Sequence, residues 1–187
     1  MIFSRLFLAT VLSVGLPAVS EAADIISAYT KLNLEACQWR QPTGEEQEGI
    51  DGGKADCPGY AGIPVYVAEG DLRMFVSFGA DAENEPAAHQ TLPNFNTIND
   101  TLEWRLLNGR PFATILRWFP DEGSGGKKGN ILIVTRIAPG ATCQVARIDA
   151  QANANANVLA RQAADELAND FDCSQEPVII GRPGNFN

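Results

Sequence analysis

Residues 101–119 read TLEWRLLNGRPFATILRWF, and this stretch decides the fold. Leu102, Trp104 and Leu106 fall on alternate positions of a strand over 101–106, the period that gives a strand one apolar face. Asn108-Gly109 follows, a pair that tolerates positive φ and closes a two-residue hairpin. The returning strand, 112–119, contains ATILRWF, apolar at consecutive positions. The segment ILIVTRI (131–137) has the same character and lies in a third strand, 130–137, after the Gly-rich link DEGSGGKKG (121–129). Strands covered on both faces read this way.

Downstream, Pro139-Gly140 turns the chain into a strand at 142–149. A helix then begins at Asn155 or Asn157, either of which can cap it. Leu159, Ala163, Leu167 and Phe171 recur every four residues and form its buried stripe, with Asp165, Glu166 and Asp170 outside it. The helix stops near Asp172, and 178–180 is an edge strand. Upstream, 63–68 and 72–79 are strands joined at Glu69-Gly70-Asp71, with Leu72, Met74, Val76 and Phe78 on one face. The stretch 80–90 is an acidic connection, 91–100 an ordered loop rich in Asn, and 42–56 a polar loop. Asp24 followed by Ile25, Ile26, Tyr29 and Leu32 predicts a short helix within 23–41. The expected fold is α+β, an antiparallel sheet of five to six strands with a C-terminal helix packed on one face and two disulfides.

The first 22 residues read as a secretory signal peptide. Arg5 precedes an apolar run at 6–16 that is too short for a bilayer, and Ser20-Glu21-Ala22 presents small residues for cleavage. A cut after Ala22 leaves 165 of the 187 residues, the size of one domain over 23–187. The expected location is periplasmic or secreted. Four cysteines, Cys37, Cys57, Cys143 and Cys173, allow three pairings. Partners near in sequence meet soonest, which favours Cys37–Cys57 and Cys143–Cys173. A redox role lacks the C-x-x-C spacing. The net charge of −9 repels phosphate backbones and anionic head groups, so neither nucleic acid nor a membrane is an expected partner.

Catalytic chemistry is thinly supplied. A Ser or Cys nucleophile needs a base, and His89 is the one histidine, set in a polar stretch. One His and four bonded Cys cannot assemble a zinc site. Asp51 and Asp56 lack the alternating oxygen ligands of a calcium loop. In 123–129 Lys128 stands where a phosphate loop has Ser or Thr. No catalytic residue, metal or cofactor is therefore assigned. Glu103, mid-strand, is the one acid that suits a carboxylate hydrolase, with pairing to an arginine as the plainer role. Arg73, Arg105, Arg117, Arg136 and Arg147 each lie near a strand end, and Trp104 and Trp118 flank two of them. Arg105, Arg117, Trp104 and Trp118 are the candidate ligand contacts, because guanidinium forks bind carboxylates and stack on rings. Structural pairing with Glu103 or the helix acids is the competing reading.

The blocks CPGYAGIPVYVAEGDLR (57–73), QTLPNFNTI (90–98), GRPFATILRW (109–118), and LIVTRI with Cys143 and VARIDA (132–150) are similar to an uncharacterised family of small exported proteins of Gram-negative bacteria. That resemblance implies an envelope or secreted setting and transfers no catalytic residue. The expected function is a non-enzymatic periplasmic binding or interaction domain for an unknown envelope protein or ligand. The alternatives are a carboxylate-dependent hydrolase of envelope glycan and a small-molecule carrier with a pocket between helix and sheet.

Overall fold

A computed structural model of the chain describes residues 24–40, 52–121 and 128–184. The expected signal peptide, most of the 42–56 loop and most of the 121–129 link lie outside the described residues. The 101–119 hairpin forms as its sequence dictates. Strands β6 (Asn96–Leu107) and β7 (Arg110–Pro120) pair antiparallel across Asn108 and Gly109, at φ 50 and 78. β8 (Ile131–Arg136) and β9 (Gln144–Asp149) extend the meander. β1 (Ile25–Lys31) joins β6 on one side, and β10 (Val178–Ile179) adds to β9 in parallel. The result is a six-stranded sheet in the order β1-β6-β7-β8-β9-β10.

A second sheet, not expected from sequence, is inserted between β1 and β6. It comprises β2 (Gln38–Arg40), β3 (Lys54–Cys57), β4 (Val65–Gly70) and β5 (Arg73–Phe78) in sequential antiparallel order. Its inner face supplies Val65, Val67, Met74, Val76 and Phe78 to a core completed by Leu102, Trp104, Leu116, Trp118 and Ile133 of the large sheet. The opposite face of the large sheet packs on α1 (Ala156–Leu167). The architecture is therefore sheet, sheet, helix. The doubly apolar strands 112–119 and 130–137 are sandwiched as their composition requires.

Both disulfides form. Cys37–Cys57 ties the start of the small sheet to β3, and Cys143–Cys173 ties the segment after α1 to the base of β9. Three local expectations are corrected. The segment expected as a helix within 23–41 is largely strand β1, because Trp104 and Glu103 on β6 need partners there: Trp104 Nε1 donates to Thr30 Oγ1 at 2.8 Å, and Ser27 Oγ donates to Glu103 Oε1 at 2.6 Å. Ile25, Ile26 and Tyr29 also suit a pleated surface. Residues 96–100, expected in a loop, open β6, since the buried Asn96 accepts from the Met74 amide at 3.0 Å and so links β6 to β5. Leu72, expected on an inward strand face, is a turn residue 60% exposed.

The helix position holds, while its buried stripe is rotated. Ala156, Ala160, Ala163 and Ala164 make the closest approach to the sheet, with Leu159, Leu167 and Phe171 flanking them. Alanine lets the helix backbone lie close to the strands. Among the described residues no helix is long and apolar enough to cross a membrane.

Candidate functional site

β4 and β5 are joined by a two-residue turn, Asp71-Leu72, with Gly70 and Arg73 paired across it. Both turn residues have positive φ, 52 and 57. Hairpins of this length favour that geometry, and they favour Gly or Asn in it. A branched apolar residue there is disfavoured by about 1–2 kcal/mol, because its Cβ crowds the following carbonyl. The turn is nonetheless firmly held: the Leu72 amide donates to Glu69 Oε1 at 3.1 Å, and the Leu72 carbonyl accepts from the Asn96 amide at 3.0 Å.

Beside it, the Asn-rich segment 91–95 projects Phe95, which is 46% exposed. Asn96 organises this segment from below. Its Nδ2 donates to the Asn94 carbonyl at 2.8 Å and to Thr91 Oγ1 at 3.3 Å, and Thr91 Oγ1 donates to the Met74 carbonyl at 2.7 Å. The Asp121 amide donates to the Phe95 carbonyl at 2.7 Å. Leu72, Phe95 and the partly buried Phe119 thus border one shallow depression of about 340 Å³ at the end of the sandwich. Glu69, Asp121 and Lys128 stand on its rim. Asp71 is engaged by Arg73 at 2.5 Å.

The residues singled out from sequence do not converge. Trp104 and Trp118 are 0% and 1% exposed, within the core between the sheets. Arg105 and Arg117 reach the helix side instead. Arg105 grips Asp165 of α1 through two bonds, 2.9 and 2.6 Å, and donates a third to Ser27 Oγ. Glu103 lies next to this group and accepts from Arg161 of α1 at 2.6 Å. The geometry is that of helix-to-sheet pairing, with the hydrolase candidate Glu103 already engaged. Arg117 donates to Asn130 and Asn157, and burial lowers its pKa. Burial lowers that of Arg147 too, against the weaker pull of Glu176. Arg147 donates to Gln144 Oε1 and the Thr91 carbonyl, so it braces the segment that carries Phe95. Arg136 donates to the Phe171 carbonyl at 2.6 Å beyond α1.

Among the described residues no group of three or more His, Cys, Asp or Glu is placed to hold a metal. Sequence reasoning missed Leu72 and Phe95. One signal existed: Asp-Leu occupies a two-residue turn where Asn-Gly or Asp-Gly is the usual pair. No protein-family model matches the chain, and neither a curated protein nor a solved structure matches it significantly.

Proposed function

We propose that this protein is an exported, non-enzymatic interaction domain that docks the Leu72–Phe95 tip onto a protein partner in the cell envelope. One observation carries the reading: an exposed leucine held by hydrogen bonds in a left-handed turn conformation. That residue costs the fold conformational energy and exposes apolar surface, and only burial against a partner removes the second penalty. A rigid aromatic side chain beside it is the usual anchor of an interface. The acids Glu69 and Asp121 outnumber Lys128 around the depression and, on a chain of net charge −9, complement a partner with basic groups around an apolar centre. Export rests on the leader-like first 22 residues and on two disulfides, which persist in oxidising compartments. The resemblance to exported proteins points the same way.

Site-specific photocrosslinking in living cells tests the interaction. A crosslinker at position 72 is expected to trap one protein, and Phe95→Ala to weaken capture by roughly thirtyfold, the effect of losing a central anchor. Leu72→Gly is expected to abolish binding of the trapped protein while raising stability, since glycine relaxes the turn. The reading fails if position 72 traps nothing beyond what a crosslinker at the exposed Val158 on α1 traps.

A further inference from the structure

The outer face of the four-stranded sheet carries a separate cleft of about 490 Å³, a size suited to a small ligand. Its floor is made of small residues, Ala68 and Gly70 of β4 with Gly53, and Phe75 stands beside Ala68 in register on β5. The roof is the segment 82–89, two short 3₁₀ turns. This roof is fastened from behind. The buried Glu85 accepts from the amides of Gly140 and Thr142 at 2.6 and 2.9 Å, and the Ala87 amide donates to the Thr142 carbonyl. The cleft is therefore preformed.

Two of its polar side chains, Tyr66 and His89, have no hydrogen-bond partner among the described residues. Tyr66 is only 4% exposed, packed against Ala82 and Ala88, yet its hydroxyl has no hydrogen-bond partner among the described residues. That hydroxyl is not sealed off like Ser77 Oγ or Thr114 Oγ1, so it opens into the cleft the residue lines. Its pKa is raised, by burial first and by the Glu83 charge second, so it stays a donor through the neutral range. The His89 imidazole on the roof likewise makes no hydrogen bond among the described residues. Lys54 and Glu83 also line the cleft as an ion pair 2.9 Å apart, and Glu83 receives Arg40 as well at 3.3 Å. Glu69 adds acceptor capacity at the rim.

We propose that this cleft binds a neutral, hydroxyl-rich ring, a single sugar unit. A pyranose has a C–H face that packs on Phe75 and the small floor residues. Its hydroxyls both donate and accept, matching Tyr66, Lys54, His89 and Glu83 together. Because Lys54 and Glu83 stand together, an ionised ligand meets a like charge beside each opposite one and gains little over a neutral one. The cleft lies on the outer face of the small sheet and the Leu72–Phe95 tip at the end of the sandwich, with Glu69 common to both linings.

The test is an amide NMR titration of the oxidised full chain with glucose and N-acetylglucosamine, and with glucuronate and glucosamine as charged controls. Millimolar neutral sugar is expected to shift Gly70, Phe75 and Ala88. Tyr66→Phe is expected to weaken binding by about fivefold, the worth of one neutral hydrogen bond, and to leave the melting temperature unchanged because the hydroxyl has no partner among the described residues. His89→Ala is expected to weaken binding as well. The proposal is overturned if neither neutral sugar shifts the cleft, if a charged control binds more tightly, or if Tyr66→Phe binds as the parent does.

Discussion

The six-stranded sheet is covered on both faces, whereas the four-stranded sheet is covered on one and only partly roofed, by residues 82–89, on the other, and the two treat polar groups differently. Within the large sheet polar side chains are almost all engaged: Trp104 with Thr30, Arg105 with Asp165 and Ser27, Glu103 with Arg161. Among the described residues, Thr114 Oγ1 is a buried exception. A buried group without a partner costs about 1–3 kcal/mol, so enclosure forces pairing. On the small sheet's outer face, roofed only in part by the 82–89 segment, that pressure is weaker, and even the buried Ser77 Oγ lacks a partner there among the described residues. Tyr66 and His89 have no hydrogen-bond partner among the described residues, and Leu72 and Phe95 stay exposed at its tip. The large sheet is thus the scaffold, and available chemistry is concentrated on the small one.

Matched substitutions break or sharpen this contrast. Trp104→Ala empties the centre of the inter-sheet core and removes a hydrogen bond, and is expected to destabilise by about 4 kcal/mol. Phe75→Ala, on the outer face of the small sheet, is expected to cost less than about 1 kcal/mol. Urea unfolding of both variants checks the pair, and equal losses would erase the distinction between scaffold and working surface. Arg105→Ala comes next, at about 2–3 kcal/mol. It strands Asp165, whose side chain keeps 26% exposure and so recovers part of its hydration. The double variant Arg105→Met with Asp165→Leu should recover much of that loss. An Arg105→Ala protein that melts with the parent would return the arginines to the role of ligand contacts.

What could be read from sequence follows the range of the interactions involved. The Asn108-Gly109 hairpin, the two doubly apolar strands, both disulfides and the helix near Asn155 rest on contacts close in sequence or on composition alone. β1 was misread because Ile25, Ile26, Tyr29 and Leu32 fit a helical face as well as a strand. What decides is Trp104 and Glu103, more than seventy residues away. The small sheet was half legible. β4 and β5 alternate clearly, but β2 and β3 are three- and four-residue strands in polar sequence. They depend on the Cys37–Cys57 bridge and on pairing with β4. Trp104 and Trp118 were candidate contacts because a tryptophan beside an arginine looks the same in sequence whether buried or displayed. Strand alternation separates them: one neighbour faces the second sheet and the other the helix. The exposure of Leu72 and Phe95 is a tertiary fact with little local trace.

The smallest expected effect concerns charge on the two sheets. The small sheet's ions are solvated: Glu83 receives Lys54 at 2.9 Å and Arg40 at 3.3 Å, with its side chain 38% exposed. The Lys54 hydrogen bond is the main cause lowering the Glu83 pKa, with Arg40 assisting and burial opposing. A carboxyl depressed in the folded state contributes stability that is complete above its unfolded value. That contribution is lost as pH falls through the depressed folded value. After allowance for solvent screening it amounts to less than about 1 kcal/mol. Glu83→Gln should therefore flatten the acid limb of the stability–pH profile slightly and leave neutral pH almost unchanged. Added salt should shrink even that difference, as screening acts on exposed pairs and spares buried ones. The enclosed Arg105–Asp165 pair should resist the same salt. If salt weakened both pairs alike, the large sheet's pairing would be as solvated as the small sheet's, and the contrast between an enclosed scaffold and an open face would fail on its electrostatic side.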